Sequence, residues 1–209
     1  MTQRTAPRGE RTRARILELA EAAVIAKGYA ATSIEELIAG AGITKGGFFY
    51  HFPEKTDLAR ALLERDVAQT VALLRDVFGA ADAAHDDPLD ALIDGLERFG
   101  AALTSGPSAQ PGCLVAALTY QEALLDPAQR ALLRGAVDAR RAAMRARLGV
   151  IAAKYPPRAD VDLDDLADMA VAVVQGGFII DRVNHPRTTV LAKQLELYRH
   201  FLREVFRQG

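Results

Sequence analysis

Between Gly42 and Pro53 the chain gathers residue types suited to holding a polyanion: Thr44, Lys45, Gly46, Gly47, Phe49, Tyr50 and His51, with Lys55 two residues beyond the proline. Lysine brings three N–H donors on a flexible stem, and threonine and tyrosine bring hydroxyls. Paired glycines let a backbone approach a neighbouring surface closely. If this stretch is helical, its free N-terminal amides and its dipole also favour phosphate. Glycine in a helix costs about 1 kcal/mol relative to alanine, so either close approach to a nucleic acid offsets Gly46 and Gly47, or both belong to a turn. Upstream, Arg4, Arg8, Arg11, Arg13 and Arg15 face only Glu10. Such a basic run is the electrostatic footprint expected beside phosphates, although a solvated arm has the same composition.

Other chemistry is hard to find. His51, His85, His185 and His200 are not at metal-binding spacings, and the single Cys113 excludes an internal disulfide and a cysteine zinc site. Asp160, Asp162, Asp164, Asp165 and Asp168 gather where a helix begins, and acids there are explained by capping and dipole complementation more simply than by a hard metal. Neither a phosphate loop nor a dinucleotide fingerprint occurs. No catalytic residue, metal or cofactor is expected. The start of the chain lacks an apolar signal segment and no uncharged run approaches bilayer length, so a cytoplasmic protein without membrane contact is expected.

The elements that must position the basic residues follow from periodicity and punctuation. Half of the 209 residues are hydrophobic and only 6% are aromatic, a composition rich in Ala and Leu that predicts an all-α fold. The net charge of −1 divides into nine basic against seven acidic residues over 1–60 and seventeen against twenty beyond. Ile16, Leu19, Ala20, Ala23 and Val24 predict an amphipathic helix over 12–27 ending at Gly28. Thr32 with Glu35 and Ser33 with Glu36 are overlapping capping boxes for a second helix, broken by Gly40 and Gly42. Thr44 then caps a third helix that stops around Pro53. Three helices with a glycine turn between the second and third are the requirements of a helix-turn-helix DNA reader. Six longer helices follow, at 55–84, 89–103, 114–123, 127–154, 162–184 and 188–207, separated by signals such as Asp86-Asp87-Pro88, Pro111-Gly112, Asp126-Pro127 and His185-Pro186. Residues 1–9, 104–112 and the last few are expected to be flexible.

Arg15-Ile16-Leu17, Ala20, Gly28-Tyr29, Thr32-Ser33-Ile34, Ala41 through Gly46, Phe49-Tyr50-His51-Phe52 and Lys55 together resemble the TetR family of bacterial transcriptional regulators, over about a quarter of the chain. The resemblance implies an all-α dimer of about nine helices per subunit. An N-terminal arm and three-helix helix-turn-helix DNA-binding domain would span 1–54, and a helical bundle for ligand binding and dimerisation would span 55–209. It also implies roles. Thr44, Lys45, Gly46, Gly47, Phe49 and Tyr50 would form the recognition surface, with Lys45 reaching a base edge. Tyr50, His51, Lys55 and Thr32 or Ser33 would touch phosphates. Many relatives have Tyr where this chain has Phe49, so Phe49 either packs on a thymine methyl or turns inward.

In the second domain, Leu191, Leu195, Tyr198, Leu202 and Val205 make a stripe at spacings of 4, 3, 4 and 3, and Ala170, Val173, Val174, Gly176, Gly177 and Phe178 make a small-residue surface. The resemblance implies that these two helices form a four-helix dimer interface; core within one chain explains the pattern too. Phe99, Leu103, Cys113, Tyr120, Met144, Gln175 and Phe178 are candidates to line an effector cavity. Cys113 is either a thiol sensor or a buried small hydrophobe. The expected function is a ligand-responsive repressor that binds a palindromic double-stranded DNA operator as a homodimer and is released by a small molecule; an activator, or a regulator without a ligand, is the alternative on the same scaffold.

Overall fold

A computed structural model of the protein describes residues 7–105, 112–158, 160–184 and 189–207. Arg4, Pro111, His185 and Pro186, and most of the segments expected to be flexible, lie outside them. Among the described residues there are nine α-helices, one 3₁₀ turn and no strand: α1 (Arg8–Lys27), α2 (Ile34–Ala41), α3 (Lys45–His51), α4 (Lys55–Ala84), α5 (Pro88–Ser105), α6 (Leu114–Thr119), η1 (Glu122–Leu124), α7 (Pro127–Lys154), α8 (Leu163–Asn184) and α9 (Val190–Phe206). The fold class expected from composition and periodicity is therefore the one observed.

Two compact units emerge, one of Met1–Val67 with Leu114–Leu133, the other of Ala68–Cys113 with Arg134–Gly209. In the first, Ile16, Ala20 and Val24 of α1 are fully buried, as are Phe48 of α3 and Ala59 and Leu63 of α4. A Cβ on Gly40 would stand 3.2 Å from Leu19 Cδ1, so the glycine lets α2 cross close to α1. Gly40 does not break α2, as the sequence suggested; the break belongs to Gly42, whose φ of +64° is the left-handed cap that glycine adopts without strain. Gly42 and Ile43 donate back to Ala39 and Ile38, at 3.2 Å each.

In the second unit, Leu92, Leu148, Ile151, Leu202 and Phe206 lie at the centre of one hydrophobic core. Here the stripe Leu191, Leu195, Tyr198, Leu202 and Val205 is buried within the chain, so its 4-3-4-3 spacing serves α9's own packing. Gly177 makes that packing close, since a Cβ there would fall 2.7 Å from Leu191 Cα. Asp181 accepts from the Val190 and Leu191 N–H groups at 2.7 and 3.1 Å, capping α9 from the neighbouring helix. The Tyr198 hydroxyl donates to the Leu166 carbonyl at 2.7 Å, and burial pushes the phenol's pKa well up.

Candidate nucleic-acid interface

The site is built by local rules. Ser33 caps α2: its hydroxyl accepts from the Glu36 N–H and the Glu36 carboxylate accepts from the Ser33 N–H, both at 3.2 Å. Of the two overlapping boxes in the sequence, this one forms. Lys27 also bonds Glu36, and that hydrogen bond is the main reason the Glu36 carboxyl lies below its ordinary pKa. Thr32 is buried instead, its hydroxyl donating to the Gly28 carbonyl at 2.9 Å. Within the Thr32 and Ser33 pair, only Ser33 is at the surface.

Thr44 caps α3 by accepting from the Gly47 N–H at 3.1 Å. Gly46 and Gly47 thus sit in the first turn of the helix, and a Cβ on Gly46 would meet nothing within 4 Å. No neighbour inside the protein requires glycine at 46. Phe48 and Phe52 point into the core, 5.8 Å apart, which anchors one side of α3. The other side presents Lys45 and Gly46, exposed, and Tyr50, whose side chain is 83% exposed. Large aromatic groups are rarely left this open without a partner. His51 packs edge-on to Tyr50 at 5.1 Å. Phe49 is half-buried, edge-on to Phe48 at 5.5 Å and 6.0 Å from the Lys45 ammonium. It leans inward without leaving the surface.

Lys55 carries a second duty. Its ammonium donates to the Tyr29 carbonyl at 2.9 Å and lies 4.6 Å over the Tyr29 ring, while the Tyr29 hydroxyl donates to the Lys55 carbonyl at 3.0 Å. These reciprocal bonds tie the α1–α2 loop to the start of α4. Burial lowers the Lys55 pKa, partly opposed by Glu36, and burial raises that of Tyr29.

Two residues that the sequence did not single out complete the unit. Gln121 accepts from the Ala30 N–H at 3.0 Å and packs on Gly28, where φ is +89° and a Cβ would stand 2.6 Å from the amide nitrogen. Gln129, fully buried, donates to the Thr56 carbonyl at 2.6 Å and accepts from the Asp126 N–H at 2.8 Å, while Asp126 accepts from the Gln129 N–H at 2.8 Å. The last two bonds are a capping box, which Asp126 and Gln129 at a spacing of three announce. The bond to Thr56 has no local signal.

Two of the candidate effector residues meet directly. Gln175 donates to Cys113 Sγ at 3.4 Å, which brings those two together. Phe99, Leu103 and Phe178 are partly exposed in the second unit, Met144 is part of its core, and Tyr120 belongs to the first unit with 76% exposure. A separate cleft of about 490 Å³ is lined by Asp87, Leu89, Asp90, Lys154, Tyr155 and Arg207. Its polar groups already satisfy one another. Asp87 accepts from Lys154, from the Tyr155 hydroxyl and from the Leu89 and Asp90 N–H groups, and Arg207 reaches Asp90 at 3.0 Å. Burial opposes ionisation of Asp87, but these bonds outweigh it and hold the carboxyl far below the carboxylate range. No cluster of metal-ligating side chains occurs among the described residues, and none of their helices is long and apolar enough to cross a membrane.

Comparison with known proteins agrees with the geometry. Residues 16–62 match the family of bacterial regulatory proteins described as tetR. The chain is 39% identical over 64 residues to the HTH-type transcriptional regulator TtgR of Pseudomonas putida, covering 31% of this chain and 30% of that protein. It is 31% identical over 85 residues to the A-factor receptor protein of Streptomyces griseus, covering 41% of this chain and 27% of that one. The matched stretches thus span less than a third of these relatives. A solved TetR transcriptional regulator from Chloroflexus aurantiacus shares the fold over 96% of this chain and 98% of its own, with a TM-score of 0.78 and 26% identity. A capped reader over the matched segment and a shared fold over nearly the whole length lead to one conclusion: residues 16–62 match the tetR family of bacterial regulatory proteins, and the chain around them is similar in fold to a solved TetR transcriptional regulator.

Proposed function

We propose that the protein is a ligand-responsive transcriptional repressor that binds a palindromic DNA operator as a homodimer and leaves it when a small molecule binds. The observation that carries the proposal is α3. It is a short helix capped by Thr44 and anchored by Phe48 and Phe52, with Lys45, Gly46 and Tyr50 open on its outer side. In this reading Lys45 reaches a base edge, and Ser33, Tyr50 and His51 hold flanking phosphates. Residues 1–54 would read DNA, and 55–209 would bind the effector and dimerise.

The dimer is supported by what α8 and α9 leave uncovered. Met169, Ile179, Ile180 and Val183 are exposed on α8, and Leu197 and Phe201 stand out from α9. Val183 is 79% exposed and Leu197 58%, on helices whose other faces already fill the core. A second copy would cover them. Two readers would then enter successive major grooves, about 34–36 Å apart. The A-factor receptor among the relatives is, by its name, a receptor, and supports the ligand part. A ligand shifts the operator equilibrium only through unequal affinity for the two states.

Genomic footprinting with and without a panel of small molecules tests the whole scheme. An inverted-repeat footprint that a compound erases is expected. Occupancy unmoved by every compound, with release by a protein partner instead, would refute the ligand part.

A further inference from the structure

Helix α1 begins at Arg8, eight residues before the apolar periodicity opens at Ile16, and its first turn is fixed by the Arg11 N–H on the Pro7 carbonyl at 3.1 Å and the Thr12 hydroxyl on the Arg8 carbonyl at 3.0 Å. Arg8, Arg11 and Arg13 therefore sit on a rigid element, not on a loose arm. That element abuts the recognition helix. A Cβ on Gly9 would stand 3.9 Å from His51 Cε1, and the Arg13 guanidinium lies 5.1 Å over the ring of Phe52, the residue that ends α3.

The charge is out of place for folding alone. Cations at a helix N-terminus face the positive end of the dipole and are unfavourable there, yet the first turn holds Arg8 and Arg11 against Glu10. All three arginines are exposed, and none has an ion-pair partner among the described residues. Several other arginines are paired: Arg65 with Glu21 at 2.7 Å, Arg147 with Asp82 at 2.8 Å, Arg199 with Glu97 at 2.8 Å and Arg207 with Asp90 at 3.0 Å. A cationic turn that opposes its own dipole and adjoins a DNA-reading helix is compensated by an external polyanion.

We infer that the first two turns of α1 extend the DNA contact: Arg8, Arg11 and Arg13 hold the phosphate backbone beside the groove that α3 enters. The inference rests on the reader assignment made above. It assigns these arginines to register and affinity, with no part in sequence choice.

The test uses the full-length protein and a duplex that it selects from a random-sequence library, with binding measured across a salt series. The double variant R8Q/R11Q removes four charges per dimer and keeps the backbone bonds of the first turn. Its slope of log affinity against log salt is expected to fall by about 3.6, at about 0.9 per lost phosphate contact. Base preference should stay that of the wild type, and R8K/R11K should restore the slope. Circular dichroism would confirm an unchanged helix content. An unchanged slope in R8Q/R11Q overturns the inference while leaving the α3 reader standing. Altered preference at A·T positions overturns it in favour of minor-groove insertion. Failure of the wild type to select any duplex removes the reader assignment itself, and the inference with it.

Discussion

Replacing Gln129 with Met keeps the side chain's length and burial but deletes the amide that joins α7 to the start of α4. Two bonds disappear, from Nε2 to the Thr56 carbonyl at 2.6 Å and from the Asp126 N–H to Oε1 at 2.8 Å. The Thr56 carbonyl keeps its place in the helical ladder of α4, so its loss is near the net value of one hydrogen bond, about 1 kcal/mol. The Asp126 N–H loses its partner at a part-buried position and costs about 1–3 kcal/mol. Together these predict a destabilisation of about 3 kcal/mol, or a melting temperature lower by roughly 6–12 °C for a chain of this size. Thermal and denaturant unfolding at fixed protomer concentration measures it, because the proposed dimer would make the midpoint depend on concentration. Gln129→Glu sharpens the test. It keeps an acceptor for Asp126 but loses the donor and buries a charge, so its deficit should shrink as the pH falls and the carboxyl protonates. A Gln129→Met protein within 0.5 kcal/mol of the wild type, a threshold about half of one net bond, would refute the hydrogen-bond account of this junction.

Gly46→Ala should stabilise the fold by up to about 1 kcal/mol, since the site is open and helical, yet weaken operator binding at least tenfold; undiminished binding in a gel-shift titration would contradict close approach at Gly46. Asp87 supplies stability while ionised, because its folded pKa is depressed, so that contribution is complete above the unfolded value of about 3.9 and is lost as the pH falls below it. Asp87→Asn should therefore cost stability at pH 7 and differ progressively less from the wild type below pH ~4, as pH-dependent denaturation would show; a constant difference would count against the assignment. Paired charges at Ile180 and Val183, as I180D/V183D, alter exposed positions and should convert the proposed dimer to a folded monomer in sedimentation; a variant that sediments as a dimer would place the interface elsewhere.

Local rules made the reader legible before its structure was known. The cap at Thr44, the Ser33 and Glu36 box and the left-handed Gly42 depend on residues within one turn of one another, and sequence displays such relations directly. Long helices were equally open to reading: α4 and α7 fall at 55–84 and 127–154 as their periodicity and flanking prolines predict. The misses lie where distant contacts decide. Helix α1 extends back to Arg8 through a polar turn that carries no apolar period. The helix expected over 114–123 ends at Thr119 and resumes as a 3₁₀ turn, with Gln121 at the break bonded to Ala30 ninety-one residues away. Gly40 looked like a breaker because nothing local reveals that Leu19 needs its missing side chain. The α9 stripe is core, and the exposed apolar side chains of α8 are Met169, Ile179, Ile180 and Val183. Periodicity identifies an apolar face without naming what covers it.

The central claim is that α3 reads DNA and that Lys45 supplies base contact. Selection from a random duplex library, run in parallel with the wild type and Lys45→Ala, tests it most directly. The account predicts an enriched inverted repeat for the wild type, and for the variant a preference relaxed at a symmetric pair of positions, by about 1–3 kcal/mol for each lost base contact. The same repeat with the same base preferences from both proteins, or no enrichment from the wild type, would contradict it.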